Sequence, residues 1–148
     1  MDKVAYVTAA KHCNCYVVTV SVEGVEFLYP IEVGELVSLK ARINYVGKTS
    51  MIVGIRVESL NPKTGITRHT NSCYFTMVAK NEDGQVTEVP GLNLVDGESL
   101  RRFAEGKALK LFVKQKHQIL KEKFHNMSIS EILNSVEGEK FTYDSPEK

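Results

Sequence analysis

The chain has 148 residues, 43% of them hydrophobic and 25% charged, which gives room for one compact domain and an appendage. Its 19 basic and 18 acidic residues leave a net charge of +1, so no global field draws nucleic acid or an anionic membrane. No apolar run approaches the ~20 residues of a membrane span, and the first residues lack the order of a signal peptide; a cytoplasmic location without membrane insertion is expected.

In chain order, Val4, Ala5, Val7, Ala9 and Ala10 occupy most of a helical circumference over Asp2 to His12, which predicts a buried helix. Asp2, at its amino end, is favoured there by the macrodipole, typically by ~0.3–1 kcal/mol, and its plain reading is a cap or a frayed surface acid. Cys13, Cys15 and Cys73 cannot all pair within one chain, and Cys13 and Cys15 lack the two-residue spacer of zinc knuckles. Reduced, buried or half-buried thiols and no metal are expected.

The period then changes from helical to alternating. Tyr16, Val18, Val20 and Val22 are bulky and apolar against polar odd positions from Thr19, which predicts a strand running on to Tyr29 and broken by Pro30 and Gly34. From Leu36, the set Val37, Leu39, Ala41, Ile43 and Tyr45 faces the core, and Ser38, Lys40, Arg42 and Asn44 face water. Met51, Val53, Ile55 and Val57 alternate in a third strand, and Ile66 to Ala79 form a fourth. Short turns between four long strands predict an antiparallel meander.

Beyond Pro90, Asp96-Gly97-Glu98-Ser99 opens a long basic amphipathic helix with a break expected near Gly106. Ser128 or Ser130 is expected to cap a short helix through Val136, and Glu137 to Lys148 to be a disordered tail. The organisation expected is a domain over 1–90, the basic helix over 91–126, and the short helix with its tail over 127–148. A helix of about twelve residues spans ~18 Å against ~40 Å for the strands, so it covers half its sheet. Sheet curvature, an earlier helix start or the C-terminal helix would close the gap.

Motif by motif, the chemistry narrows. Gly47-Lys48-Thr49 lacks the upstream glycine of a phosphate loop, since Arg42 stands there, and a strand rather than a helix follows. What remains is a turn with one cation and two hydroxyls, adequate for one phosphate, or simply a hairpin turn that carries a lysine. No Gly-x-Ser-x-Gly elbow supports a serine triad. His12 and His69 read as packed or hydrogen-bonded, His117 and His125 as surface residues, and few aromatics on polar faces argue against RNA binding.

The order Met-Asp-Lys-Val-Ala, Val-Val-Thr-Val-Ser-Val, Phe-Leu-Tyr-Pro-Ile-Glu-Val-Gly-Glu, Tyr-Val-Gly-Lys-Thr-Ser-Met and Cys-Tyr-Phe-Thr-Met-Val-Ala closely resembles the hotdog-fold acyl-CoA thioesterases of the cytosolic acyl-CoA hydrolase type, over roughly residues 1–115. The resemblance implies an α+β hotdog fold, a curved antiparallel sheet wrapped around one central helix, with a C-terminal helical extension. It implies sheets joined edge to edge in a homodimer, assembly as a trimer of dimers, and hydrolysis of acyl-CoA to fatty acid and coenzyme A without a cofactor. By position, Asp2 matches the catalytic aspartate that activates water or attacks the thioester carbonyl. Thr19 lies where the first strand passes the reacting group, Lys48, Thr49 and Ser50 match the turn associated with the coenzyme's phosphates, and Phe27 and Pro30 belong to the wall and lip of the acyl path.

Family members carry, ahead of this helix, a strand and an Asn-containing loop leading into His-Gly-Gly, whose amides are where the oxyanion would be held. This sequence starts after them, and a start assigned at an internal methionine is the expectation, over a trimmed or a degenerate chain. The competing function is a non-catalytic acyl-CoA or CoA-binding subunit. A hotdog dehydratase or hydratase is disfavoured because His12 sits at the wrong end of the helix.

Overall fold

The computed structural model describes residues 1–143, so the last five residues of the expected tail lie outside the described residues. Compact units form over Met1–Lys110 and Leu111–Lys148. The first holds α1 (Asp2–Cys13), β1 (Tyr16–Phe27), β2 (Leu36–Val46), β3 (Ser50–Leu60) and β4 (Thr67–Lys80). Helix α2 (Gly97–His125) runs on from it into the second, which also holds α3 (Ile129–Ser135).

All strand pairs are antiparallel, but the sheet order is β1-β4-β3-β2. The expected four-strand meander is therefore corrected: only β2, β3 and β4 follow one another through the sheet. The eight-residue connection from Leu28 to Glu35 can reach about 26 Å, more than the ~14 Å across three strand spacings, so β1 can pair with β4 at the opposite edge. Nothing in local turn chemistry distinguishes the two pairings.

Bulges in β1 and β2 revise the faces. β1 pairs Val17 with Ala79 and Thr19 with Met77, then skips to Ser21 with Thr76 and Val22 with Phe75. An extra residue at Val20 reverses the side-chain parity until a second shift between Glu23 and Glu26 restores it, so Val17, Thr19 and Val22 share the helix-facing side, while Tyr16 and Val20 are 57% and 56% exposed. β2 makes the same kind of shift between Ile43 and Tyr45. Asn44 is thereby buried rather than wet, and Tyr45 turns away from the α1-facing core it was expected to join.

The core lies between α1 and the sheet: Ala5 and Ala9 meet Val17, Met51, Val53, Ile55, Val57, Cys73, Phe75, Met77 and Ala79. Ala5 and Ala9 stand four apart, one turn of helix on one face, and their small size brings the helix close. The expectation of a helix buried all round is corrected, because Val7 is 61% exposed and Tyr6 is exposed too. One sheet covers only one side of a helix.

On the other sheet face the first part of α2 packs against the end of β2. Phe103 packs on Tyr45 with ring centroids 4.9 Å apart, and Ile52, outside the α1-side core, is 1% exposed. At Gly106 an added Cβ would lie 2.6 Å from the Tyr45 Cβ, so the glycine permits close approach within an unbroken helix instead of ending it. The C-terminal helix thus packs on the face opposite α1 and does not extend the cover α1 provides. Asp96 starts α2, its Oδ1 accepting from the Ser99 amide at 2.6 Å.

Cys13 and Cys15 are joined in a disulfide, which corrects the expectation of reduced thiols; Cys73 is free and buried. Asn14, left-handed at φ 51°, folds the chain between them and leaves the Cα atoms 5.3 Å apart, within bonding range. In the second unit Ser128 caps α3 in a reciprocal capping box with Glu131. Residues 137–143, expected as disordered tail, contribute Phe141 and Tyr143 to an apolar cavity of about 490 Å³ with Ile129, Ile132, Leu133 and Val136. Two aromatic side chains in that short segment supply apolar area that a net polar composition conceals. The first unit has the hotdog arrangement, with helical elements following the sheet.

Candidate active site

Asp2 sits at the first position of α1, and Thr19, two residues beyond buried Val17 in β1, turns toward that helix. The Thr19 Oγ1 donates to Asp2 Oδ1 at 2.7 Å and lies 3.3 Å from the Met77 Sδ beneath it. Asp2 is solvent-exposed in the single chain, not carried into the apolar interior, because the covered face of α1 begins at Ala5. One carboxylate oxygen is held by the threonine, and the hydroxyl fixes where the other points.

The rung Thr19–Met77–Met51 crosses β1, β4 and β3, and Ser50 precedes Met51. Two strand spacings put the 47–50 turn about 10 Å from Thr19, at the same end of the sheet as Asp2. Within that turn the Gly47 amide donates to the Ser50 carbonyl at 2.7 Å, the Thr49 carbonyl accepts from Ala79, and the Lys48 carbonyl accepts from Val89. The backbone is pinned while the Lys48 ammonium stays exposed, 3.2 Å from Glu88. Ser50 is 8% exposed, and its Oγ accepts from Lys110 Nζ at 2.9 Å.

Lys110 is the residue sequence reasoning missed. It lies 60 residues beyond Ser50, is one lysine of many on α2, and also stands 5.5 Å over the Tyr45 ring. No local signal marks it, since only the packing of Gly106 on Tyr45 brings it to the turn.

Phe27 pairs with Asn71 at the far end of β1, on the α1-facing side with Thr19, and is 73% exposed. Six residues of β4 separate the partners of Thr19 and Phe27, about 20 Å of strand. Pro30 is exposed in the loop after β1. The structure therefore joins Asp2 to Thr19 directly, sets Lys48, Thr49 and Ser50 nearby, and leaves Phe27 and Pro30 at a distance along one edge. His12 and His69 are hydrogen-bonded, to the Pro90 carbonyl and to Asn71 O and Ser72 Oγ. Among the described residues no cluster of three or more His, Cys, Asp or Glu is placed to hold a metal, and no helix is long and apolar enough to cross a membrane.

The hotdog sheet thus presents an acid at the start of its helix, with a cationic turn at the same end. Residues 1–66 match the Thioesterase superfamily, and the chain belongs to that family. It is 50% identical over 103 residues to the protein VdlD of Helicobacter pylori, an alignment covering 70% of this chain and 59% of VdlD. Among solved structures, an apo-hexameric acyl-CoA thioesterase superposes with TM-score 0.75 at 35% identity, covering 78% of this chain and 74% of the other. Two mutants of the Staphylococcus aureus acyl-CoA hydrolase also superpose. The one with a threonine replaced by alanine gives TM-score 0.74 at 25% identity, covering 85% of this chain and 79% of the other. The one with an aspartate replaced gives 0.75 at 26%, covering 84% and 77%. The chain spans less than two thirds of the length of VdlD.

Proposed function

We propose that the protein is an acyl-CoA thioesterase that hydrolyses fatty acyl-CoA to free fatty acid and coenzyme A. The observation that carries this reading is the 2.7 Å hydrogen bond from Thr19 to Asp2. The threonine and the aspartate replaced in the two S. aureus mutants stand 17 residues apart, the separation of Thr19 and Asp2 here.

In this reading Asp2 activates water against the thioester carbonyl, or attacks it directly, and the coenzyme A thiolate leaves. Thr19 orients the carboxylate. Lys48, with Thr49 and Ser50, grips the coenzyme's phosphates, and Lys110 adds a second ammonium through Ser50. Phe27 and Pro30 line the acyl path along β1. The chemistry needs no cofactor, because a carboxylate and water supply both proton transfer and nucleophile.

The assembly proposed is a homodimer joined through the β1 edge, built into a trimer of dimers, and working in the cytoplasm. Supporting it are the unpaired edge of β1, the exposure of Val20, Val25 and Phe27 there, and the exposed Val7 and Tyr6 on α1. A domain over 1–90, followed by a basic helix over 91–126 and a segment over 127–148, is the proposed organisation.

Thiol release from acyl-CoA by the full-length protein tests the reading. Asp2→Asn is expected to lose at least about 10²-fold in kcat, the size of a general-base contribution. Undiminished turnover in that variant would remove Asp2 from the mechanism, and acyl-CoA binding without thiol release would favour a non-catalytic binding subunit.

A further inference from the structure

A covalent bridge with no part in hydrolysis closes the carboxyl end of α1. Cys13 ends the helix, Asn14 turns the chain and Cys15 precedes β1, so the Cys13–Cys15 disulfide encloses one residue. In the chain-entropy account a bridge stabilises more the longer the loop it closes, so this one holds local geometry and contributes less to global stability than a long-range bridge would. Opening it therefore does not unfold the domain. Both cysteines are half-buried at the margin of the core, where a small thiol reaches them, whereas Cys73 is fully buried beside the Met1 Sδ at the opposite end of α1.

The same end of α1 is tied to the 47–50 turn. His12 Nε2 donates to the Pro90 carbonyl at 3.0 Å. One residue earlier the Val89 amide donates to the Lys48 carbonyl at 3.0 Å, and before it the Glu88 carboxylate pairs with the Lys48 ammonium at 3.2 Å. Val89 and both cysteines pack against one core cluster. Closed, the bridge holds Asn14 in its left-handed conformation and with it the last turn of α1. Open, that turn is free to fray as helix ends do, and His12 loses its fixed position against Pro90. Asp2 stands at the other end of the helix.

We propose that Cys13 and Cys15 form a reversible thiol–disulfide couple that exchanges with low-molecular-weight thiols and tunes the 47–50 turn through His12 and Pro90. In the reducing direction an external thiolate attacks one of the two sulfurs, the S–S bond breaks, and the other cysteine leaves as a thiolate that takes up a proton. A second thiolate attacks the external sulfur of the mixed disulfide and frees the remaining cysteine. The bridge and two thiols thus give two cysteine thiols and one low-molecular-weight disulfide, and the reverse sequence closes the bridge. Disulfides in cytosolic proteins of mesophiles are generally transient and redox-responsive, and the cytoplasm is the compartment proposed for this protein. Coenzyme A, the thiol released in the proposed hydrolysis, belongs to the same chemical class as glutathione. The exchange itself is independent of the hydrolytic reading, whereas its effect on the turn rests on the coenzyme reading of Lys48.

The test equilibrates the full-length protein with mixtures of glutathione and its disulfide, quenches with iodoacetamide and maps the cysteines by peptide mass spectrometry; coenzyme A and its disulfide form a parallel arm. Cys13 and Cys15 are expected to be alkylated together in reducing mixtures and bridged in oxidising ones, with buried Cys73 unlabelled in the native protein. A stronger response to coenzyme A than to glutathione at equal concentration identifies the released thiol as the partner, and equal responses identify the general thiol pool. A bridge that survives millimolar thiol in the folded protein, or a dithiol that stays open in excess disulfide, would overturn the proposal. For the coupling, the two forms are freed of small thiols and compared by loss of thioester absorbance. Reduction is expected to raise KM for acyl-CoA about threefold and leave kcat unchanged, and Cys13→Ser with Cys15→Ser to match the reduced form. His12→Ala is expected to keep the exchange and abolish the difference in KM. Equal KM in the two forms overturns the coupling, and no turnover in either form with exchange intact counts against the hydrolytic reading alone.

Discussion

Replacing Thr19 by valine removes one hydrogen bond and little volume, so it isolates the threonine's effect on Asp2. A hydrogen bond to a charged group is generally worth about 1.5–3 kcal/mol, but both partners here are exposed, and water replaces part of the loss. About 1–1.4 kcal/mol remains, a five- to tenfold drop in kcat. KM should stay within twofold, because Thr19 touches the acid and not the 47–50 turn. If the threonine acts only by orienting the carboxylate, Thr19→Val combined with Asp2→Asn will be no slower than Asp2→Asn alone, a coupling of about 1 kcal/mol. Steady-state thiol release on the four proteins of this cycle gives the number. Full activity in Thr19→Val, or losses that simply add in the double variant, would refute the orienting role and with it the geometric basis for choosing Asp2.

The remaining predictions concern the elements that hold this site. Gly106→Val drives a side chain into the Tyr45 Cβ and should cost about 1–3 kcal/mol in urea unfolding, while raising KM by displacing Lys110 from Ser50; an unchanged KM would separate Lys110 from the turn. Met77→Ala, beneath Thr19 and fully buried, should cost about 2–5 kcal/mol by the same measurement. The hydrogen bond from Arg101 holds the Glu98 carboxyl down at about 2, and the Ser99 amide holds Asp96 below its usual range. Carboxyls depressed on folding stabilise fully above their unfolded values and lose that contribution as pH falls through the folded ones. Helical circular dichroism should therefore decline between about pH 4.5 and 2, and a Glu98 that titrates near 4.5 by NMR would contradict the Arg101 contact.

Much of the fold was legible because its signals are local. Alternation at Met51, Val53, Ile55 and Val57 marked β3, the Asp96 to Ser99 run marked the start of α2, and Ser128 marked that of α3. Alternation failed at Val20 and Asn44, where a single extra residue reverses the side chains that follow it, in β1 as far as a second shift between Glu23 and Glu26, and leaves no compositional trace. The resemblance singled out Asp2 and Thr19 separately, and their hydrogen bond was not legible, because 17 residues and a helix-to-strand reversal separate them.

By itself, the sequence determined where helices and strands begin and end, since caps, breakers and side-chain period act over a few residues. It also placed Asp2 at a helix start and Lys48 in a turn. Tertiary structure decided the β1-β4 pairing, the face on which α2 packs, the approach of Lys110 to Ser50, and the tie of His12 to Pro90. Those outcomes depend on which surfaces a whole sheet leaves uncovered, a property that exists only after residues far apart in the chain have met.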